Sequence, residues 1–109
     1  MDDNHVSLIG VLDTDTVVRI TDPTTVSAEL RLTHTDRDGQ TISITATTTD
    51  PVLAASVADL RQGERVHVHG ALVQQLWVDI HGARREAITI AAHRIQAAAD
   101  ISLTTRRDA

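Results

Sequence analysis

Gly63-Glu-Arg-Val-His-Val-His-Gly-Ala-Leu-Val-Gln-Gln-Leu-Trp-Val-Asp79 is the stretch on which the fold turns. It opens at a turn glycine and then alternates, with Val66, Val68, Gly70 and Leu72 on one side. A period of two is the pattern of a strand with one face on a core. Gly70 inside that pattern predicts a bend or a close approach of another backbone. The stretch runs into Trp77, the one aromatic residue of the chain, since Phe and Tyr are absent.

Upstream, the same alternation recurs. Val6, Leu8, Gly10 and Leu12 predict a long first strand kinked at Gly10. Asp13 to Asp15 reads as a turn or bulge, after which Val17-Val18-Arg19-Ile20 is extended again. Thr21-Asp22-Pro23-Thr24 is a turn, because Pro fixes one backbone angle and Asp can bond its own backbone. Val26, Ala28, Leu30 and Leu32 alternate with polar residues as the second strand, and Asp36-Arg-Asp-Gly39 closes a hairpin. Ile42, Ile44 and Ala46 form the third strand. Asp50-Pro51 then starts a helix, with Asp as the cap and Pro in the first turn. Val52, Leu53, Ser56, Val57 and Leu60 recur at helical spacing, so a short amphipathic helix ends near Leu60.

Downstream of Trp77, Ile80-His-Gly-Ala83 turns the chain and Ala87 to Ala91 returns as a last strand reaching Ile95. Strand, strand, strand, helix, strand, strand is the order of an OB-fold. That is an all-β, five-stranded Greek-key barrel with one short helix between strands 3 and 4. The domain is expected over residues 1–96, with 97–109 a short tail.

The chain has 109 residues, enough for one modest core. Its ten basic residues are all arginine and face 15 acids, for a net charge of −5. That is the wrong sign for a simple polyanion binder. The charge is uneven, however. Residues 1–60 hold three arginines against ten acids, and residues 61–109 hold seven against five. A nucleic-acid face would therefore draw mostly on the C-terminal half. Without cysteine there is no disulfide, thiolate metal site or thiol chemistry. The acidic start Met1-Asp-Asp-Asn-His5 lacks the features of a signal peptide, and no apolar run approaches membrane length. A cytoplasmic protein with no membrane contact is expected.

The ordered set of motifs resembles the bacterial single-stranded-DNA-binding protein family over roughly Asn4 to Ile95. The carrying residues are Asn4-x-Val6-x-Leu8-Ile9-Gly10-x-Leu12, Asp15 with Val18-Arg19, and Ala28-x-Leu30-x-Leu32. The turn at Gly63, the Gly70-to-Trp77 spacing, Asp79 and Gly82-x-x-Arg85 follow in order. The resemblance implies non-catalytic binding of single-stranded DNA with little sequence preference, in replication, recombination or repair. It further implies pairing of first strands, around Asn4, Val6 and Leu8, into a homo-oligomer, either dimer or tetramer. No cofactor is implied.

The departures from the family pattern are specific. Its stacking aromatics fall here at about Thr41 and at Thr47 or Thr48, leaving Trp77 alone. Each base–aromatic stack is worth about 1–3 kcal/mol, so weak and salt-sensitive binding is expected. The end Thr104-Thr-Arg-Arg-Asp-Ala109 lacks the acidic, hydrophobic tip by which many members recruit enzymes, so that recruitment is not expected. In its short length the chain is similar to primosomal proteins of the same fold, which act as dimers.

The residues assigned to the nucleic acid are Trp77 as a stacking platform and Arg84, Arg85, Arg19, Arg31 and Arg65 on phosphates. Each has a plainer alternative: a hydrophobic plug for Trp77, solvated or ion-paired surface positions for the arginines. His67 and His69 share a strand face that two imidazoles could use for a metal, but with no third ligand indicated they read as exterior or subunit-contact residues. His34 and His81 are weaker candidates for base or phosphate contact. No nucleophile elbow or phosphate loop is present, and the Asp13/Asp15 and Asp36/Asp38 pairs sit in turns, so catalysis is not expected. The alternative function is an oligomeric interaction module of the same fold that has largely lost DNA binding.

Overall fold

Residues 4–98 are described by the structure, a computed structural model. Six strands and one helix follow in the order β1 (Val6–Leu12), β2 (Val17–Asp22), β3 (Thr25–Thr35), β4 (Thr41–Thr48), α1 (Pro51–Val57), β5 (Arg65–Val78) and β6 (Arg84–Ala97). The expected first strand is broken in two at Asp13–Thr16. There the Asp13 amide bonds Arg31 O and the Thr16 amide bonds Leu60 O instead of a sheet ladder.

The sheet order is β1-β5-β6-β4-β3-β2, and β1 also pairs with β3, so the pairings run in a closed circuit. All pairs are antiparallel except β4 with β6, which run parallel through Thr45↔Thr89, Ala46↔Ile90 and Thr47↔Ala91. Just after Gly10, β1 gains a second partner: Val11 pairs with Arg65 of β5 and with Thr33 of β3. A Cβ on Gly10 would stand 3.1 Å from Thr33 O and 3.3 Å from Leu32 Cβ. The β1–β5 register continues unbroken through Gly10, and the close approach there is that of β3.

Alternating residues fill the interior. Leu12, Ala28, Leu30, Leu32, Ala46, Val66, Val68 and Ile90 are buried together, and α1 contributes Ala54 and Val57. The helix begins as expected, with Asp50 accepting from the Val52 amide and Pro51 in the first turn. It stops at Val57, earlier than the helical spacing suggests. Leu60 still packs against the core, reached by a turn in which its amide bonds Val57 O at 3.1 Å.

Two hairpin turns are built alike. Asp36 Oδ1 accepts from the amides of Asp38 and Gln40, and Asp79 Oδ1 accepts from those of His81 and Ala83. In each, a glycine with positive φ, Gly39 at 87° and Gly82 at 81°, completes the turn. Asp38 keeps a negative φ, because the left-handed residue is needed only once in a loop of this length. The last strand also continues past its sequence pattern: β6 runs to Ala97, and buried Ala98 bonds Arg65 O at 2.8 Å. The expected tail from residue 99 onward lies outside the described residues.

Candidate nucleic-acid interface

β5 and β6 are 14 residues each and stay paired from Val66↔Ala97 to Val78↔Arg84. β1 accompanies β5 only as far as Gly70, and β4 accompanies β6 only from Thr89 to Ala91. Beyond that, Gln74 to Val78 and Arg84 to Ile88 pair only with each other. This two-stranded arm extends about 17 Å at 3.3 Å per residue.

The arm has two faces. On one, Leu72, Leu76 and Val78 stand with Ile88 and continue outward from core residue Ile90. On the other, Val73, Gln75 and Trp77 stand opposite Thr89, Ala87 and Arg85. Trp77 is 48% exposed there. Its cross-strand neighbour Arg85 is held by Asp79, Nε to Oδ2 at 2.8 Å. The Arg85 guanidinium and the turn amides of Ala83 and His81 hold the Asp79 carboxyl below its usual pKa. Arg85 is thus oriented beside the indole but already engaged by a carboxylate.

The outward face of the arm is continuous with the outward face of β3 and β4. Register links Arg31 to Thr45, Thr45 to Thr89 and Thr89 to Val73 in one row across four strands. At about 4.8 Å per strand, Arg31 lies about 14 Å from Val73. Thr89, at the crease where the arm leaves the body, is buried, and its Oγ1 has no partner among the described residues. Sequence reading passed over this threonine, although its position between Ile88 and Ile90 marks it as facing away from the core.

The expected site residues separate into groups. Trp77, Arg85 and Arg31 share the outward side, and Arg19, paired with Ser27 in β2, lies further along it. Glu29 sits on this side too, between Arg19 and Arg31. Arg84 pairs across from Val78, on the opposite face of the arm from Trp77. Arg65 begins β5, twelve residues from Trp77 and so about 40 Å along the strand. Of the two positions expected for the missing aromatic, Thr47 is half-buried on the outward side, whereas Thr48 is buried and accepts from the Asp50 amide. Thr41 bonds Thr35 at the far end of β4, at 3.1 Å.

The residues expected at a subunit contact are placed as follows. Val6 and Leu8 turn inward against the core, and Asn4 is clamped to β5 by two 2.8 Å bonds with the backbone of Leu72. From Val6 to Gly10, the side of β1 away from β5 meets no strand among the described residues. His34 partly covers it, with Nδ1 2.7 Å from Ile9 O. His81 occupies the arm's turn, where its backbone amide is bonded to Asp79.

No protein-family model and no curated protein matches this chain. Among the described residues, no helix is long and apolar enough to cross a membrane.

Proposed function

We propose that the circuit of strands is an OB-fold, a five-stranded Greek-key barrel in which β1 and β2 count as one broken strand. On that fold the protein binds single-stranded DNA without catalysis or strong sequence preference. Support for the fold comes from the parallel β4–β6 pairing and from the helix between β4 and β5. The observation that carries the function is the outward row Arg31-Thr45-Thr89-Val73 leading along the arm to Trp77 and Arg85. It offers one stacking face and a short line of cations to a strand laid across the crease. Arg19 extends that line; Arg84 and Arg65 lie away from it. DNA replication, recombination or repair in the cytoplasm is the setting this chemistry serves.

The same reading makes the protein a homo-oligomer. From Val6 to Gly10 the edge of β1 pairs with no second strand among the described residues and is met only in part, by His34 at Ile9 O. A second β1 that displaces this histidine can extend it, an arrangement that removes the hazard of an open strand.

A second reading rests on the opposite face of the arm. Leu76 is 72% exposed there between Val78 and the Gln74–Glu86 hydrogen bond, with Ile88 and Leu72 beyond that bond. It is an apolar surface with polar groups set in it that suits protein contact rather than DNA. On this reading the fold is an oligomeric interaction module with weak or lost DNA binding.

One titration separates the two. Oligo-dT is added at low salt, Trp77 fluorescence and anisotropy of a labelled strand are followed, and salt is then raised. Quenching that salt reverses supports the first reading. Unchanged fluorescence with flat anisotropy removes it and leaves the second.

A further inference from the structure

Four of the chain's six histidines gather on one outward patch. His67 and His69 alternate on β5, with ring centroids 4.1 Å apart. His5, just before β1, has its ring 6.0 Å from that of His69 and 6.1 Å from that of His93 on β6. His93 is there because of a bulge. His69 pairs with Arg94 and Gly70 with Ala92, so His93 is the extra residue of β6. Ala92 and Ile95 pack against the core, and both residues between them are turned outward. A bulge re-aims a side chain in this way, and here it brings an imidazole from a third segment to His5, which itself stands beside His69.

We propose that His67 and His69, joined by His5 or His93, form a binding site for a borderline divalent transition cation such as Zn2+, Ni2+ or Cu2+. With each nitrogen about 2.0–2.1 Å from the ion, two imidazoles sharing one cation have ring centres about 4.5–6 Å apart. The β5 pair at 4.1 Å stands slightly inside that span and the His5 pairs at 6.0 and 6.1 Å at its outer limit, so small ring rotations bring them to it. Among the described residues, no three such side chains form a ready-made cage in their present positions. His5 and His93 are exposed, however, and their rings are free to turn toward β5.

The neighbouring chemistry selects the class of ion. Around the β5 pair, the strand partners are Ser7, Ile9, Arg94 and Gln96, with no carboxylate among them. Calcium and magnesium demand oxygen ligands, whereas imidazole suits zinc, copper and nickel. Ser7 Oγ lies 2.6 Å from His67 Nε2. When that nitrogen carries the proton, the hydroxyl accepts it and His67 Nδ1 presents its lone pair, as outer-shell partners of metal-bound histidines arrange.

The test uses the full chain without an affinity tag. ZnCl2 is titrated near neutral pH by calorimetry, and the imidazole resonances are followed by NMR. One equivalent is expected to bind, shifting His67, His69 and at least one of His5 and His93 while His81 stays in place. His67→Gln and His69→Gln are each expected to weaken binding by at least the roughly tenfold that loss of an outer-shell partner costs. His81→Gln is expected to leave it unchanged. Absence of binding at millimolar Zn2+, or binding indifferent to both β5 substitutions, overturns the proposal.

Discussion

Gly70→Ala tests the junction on which the arm depends. A Cβ at this position collides with the Ala91 carbonyl oxygen and stands 2.9 Å from both Ala91 C and Ala92 Cα. Every one of those atoms is backbone, so no side chain can rotate away, and β5 and β6 must part at the bulge. Overpacking of a tight interior costs about 1–3 kcal/mol and occasionally more; a clash against backbone alone belongs at the upper end. The stiffer unfolded chain of the alanine variant returns only about 0.4–1 kcal/mol. A net loss of about 2–3 kcal/mol follows, and at about 4–8 °C per kcal/mol for a domain of this size the midpoint falls by about 8–24 °C. Gly10→Ala is the internal comparison. Its nearest contacts, 3.1 Å and 3.3 Å, ask for adjustments of tenths of an ångström, so the loss is smaller. Thermal and urea denaturation of both variants measure this. A Gly70→Ala midpoint within about 4 °C of the parent, or a larger loss in Gly10→Ala, refutes the argument from close backbone approach.

The two Asp-anchored turns differ in one respect. Asp36→Ala loses two amide bonds and is expected to cost about 0.5–2 kcal/mol, by analogy with removal of a helix cap. Asp79→Ala also frees Arg85 and is expected to lower the melting midpoint further, both read by differential scanning calorimetry. Stability is expected to fall with acid in two windows. The His69 pKa is depressed in the folded state, so the unfolded chain takes up the proton first, and stability present above about pH 6.5 declines below it. The Asp22 and Asp79 carboxyls are depressed likewise, giving a second decline below about pH 3.8. His69→Gln should remove the histidine contribution to the first window alone in a denaturation series against pH. On the proposed DNA reading, Arg31→Gln reduces the salt slope of oligo-dT binding by about 0.7, one phosphate contact on a single strand. Arg65→Gln leaves it unchanged, as anisotropy at several salt concentrations checks. Leu76→Ser and Trp77→Ala change adjacent residues on opposite arm faces. Trp77→Ala is expected to weaken DNA binding by roughly 5–150-fold, the equivalent of one stack; Leu76→Ser should leave binding intact and weaken any self-association seen by light scattering.

Period two revealed the body of the molecule because nearly every strand there has one face on the core. Val66, Val68, Leu30 and Leu32 could be assigned inward from spacing alone, and all are fully buried. The pattern weakens where that condition ends. Along the arm both faces meet solvent, so Arg84 and Arg85 read as a turn although they begin β6. At the bulge, two successive residues point outward, and no count of alternation places His93 beside His5. Nor does spacing along one strand say which residues lie across others. Arg31, Thr45, Thr89 and Val73 are far apart in the chain and become a row only through the parallel β4–β6 pairing. Arg65 was grouped with Trp77 by charge and proximity in sequence, but an extended strand carries them to opposite ends.

The two faces of the arm differ in what they can drive. On the outward face, one half-exposed indole supplies about 1–3 kcal/mol of stacking, and its neighbour Arg85 must leave or share Asp79 before it serves a phosphate. On the other face, burying Leu72, Leu76, Val78 and Ile88 yields about 1.5–3 kcal/mol for each side chain fully covered. Even half of that, summed over four residues, exceeds the single stack. Association still costs several kcal/mol of lost freedom, which makes the apolar face a contact that forms with help from a second surface, such as the open edge of β1. On the proposed reading, oligomerisation therefore precedes DNA binding. Each added subunit brings another Trp77 to the same strand, and linked weak contacts gain through effective concentration what one contact lacks. On that reading, a protein with a single Phe, Tyr or Trp side chain and a net charge of −5 holds single-stranded DNA by avidity rather than by several stacks within one subunit.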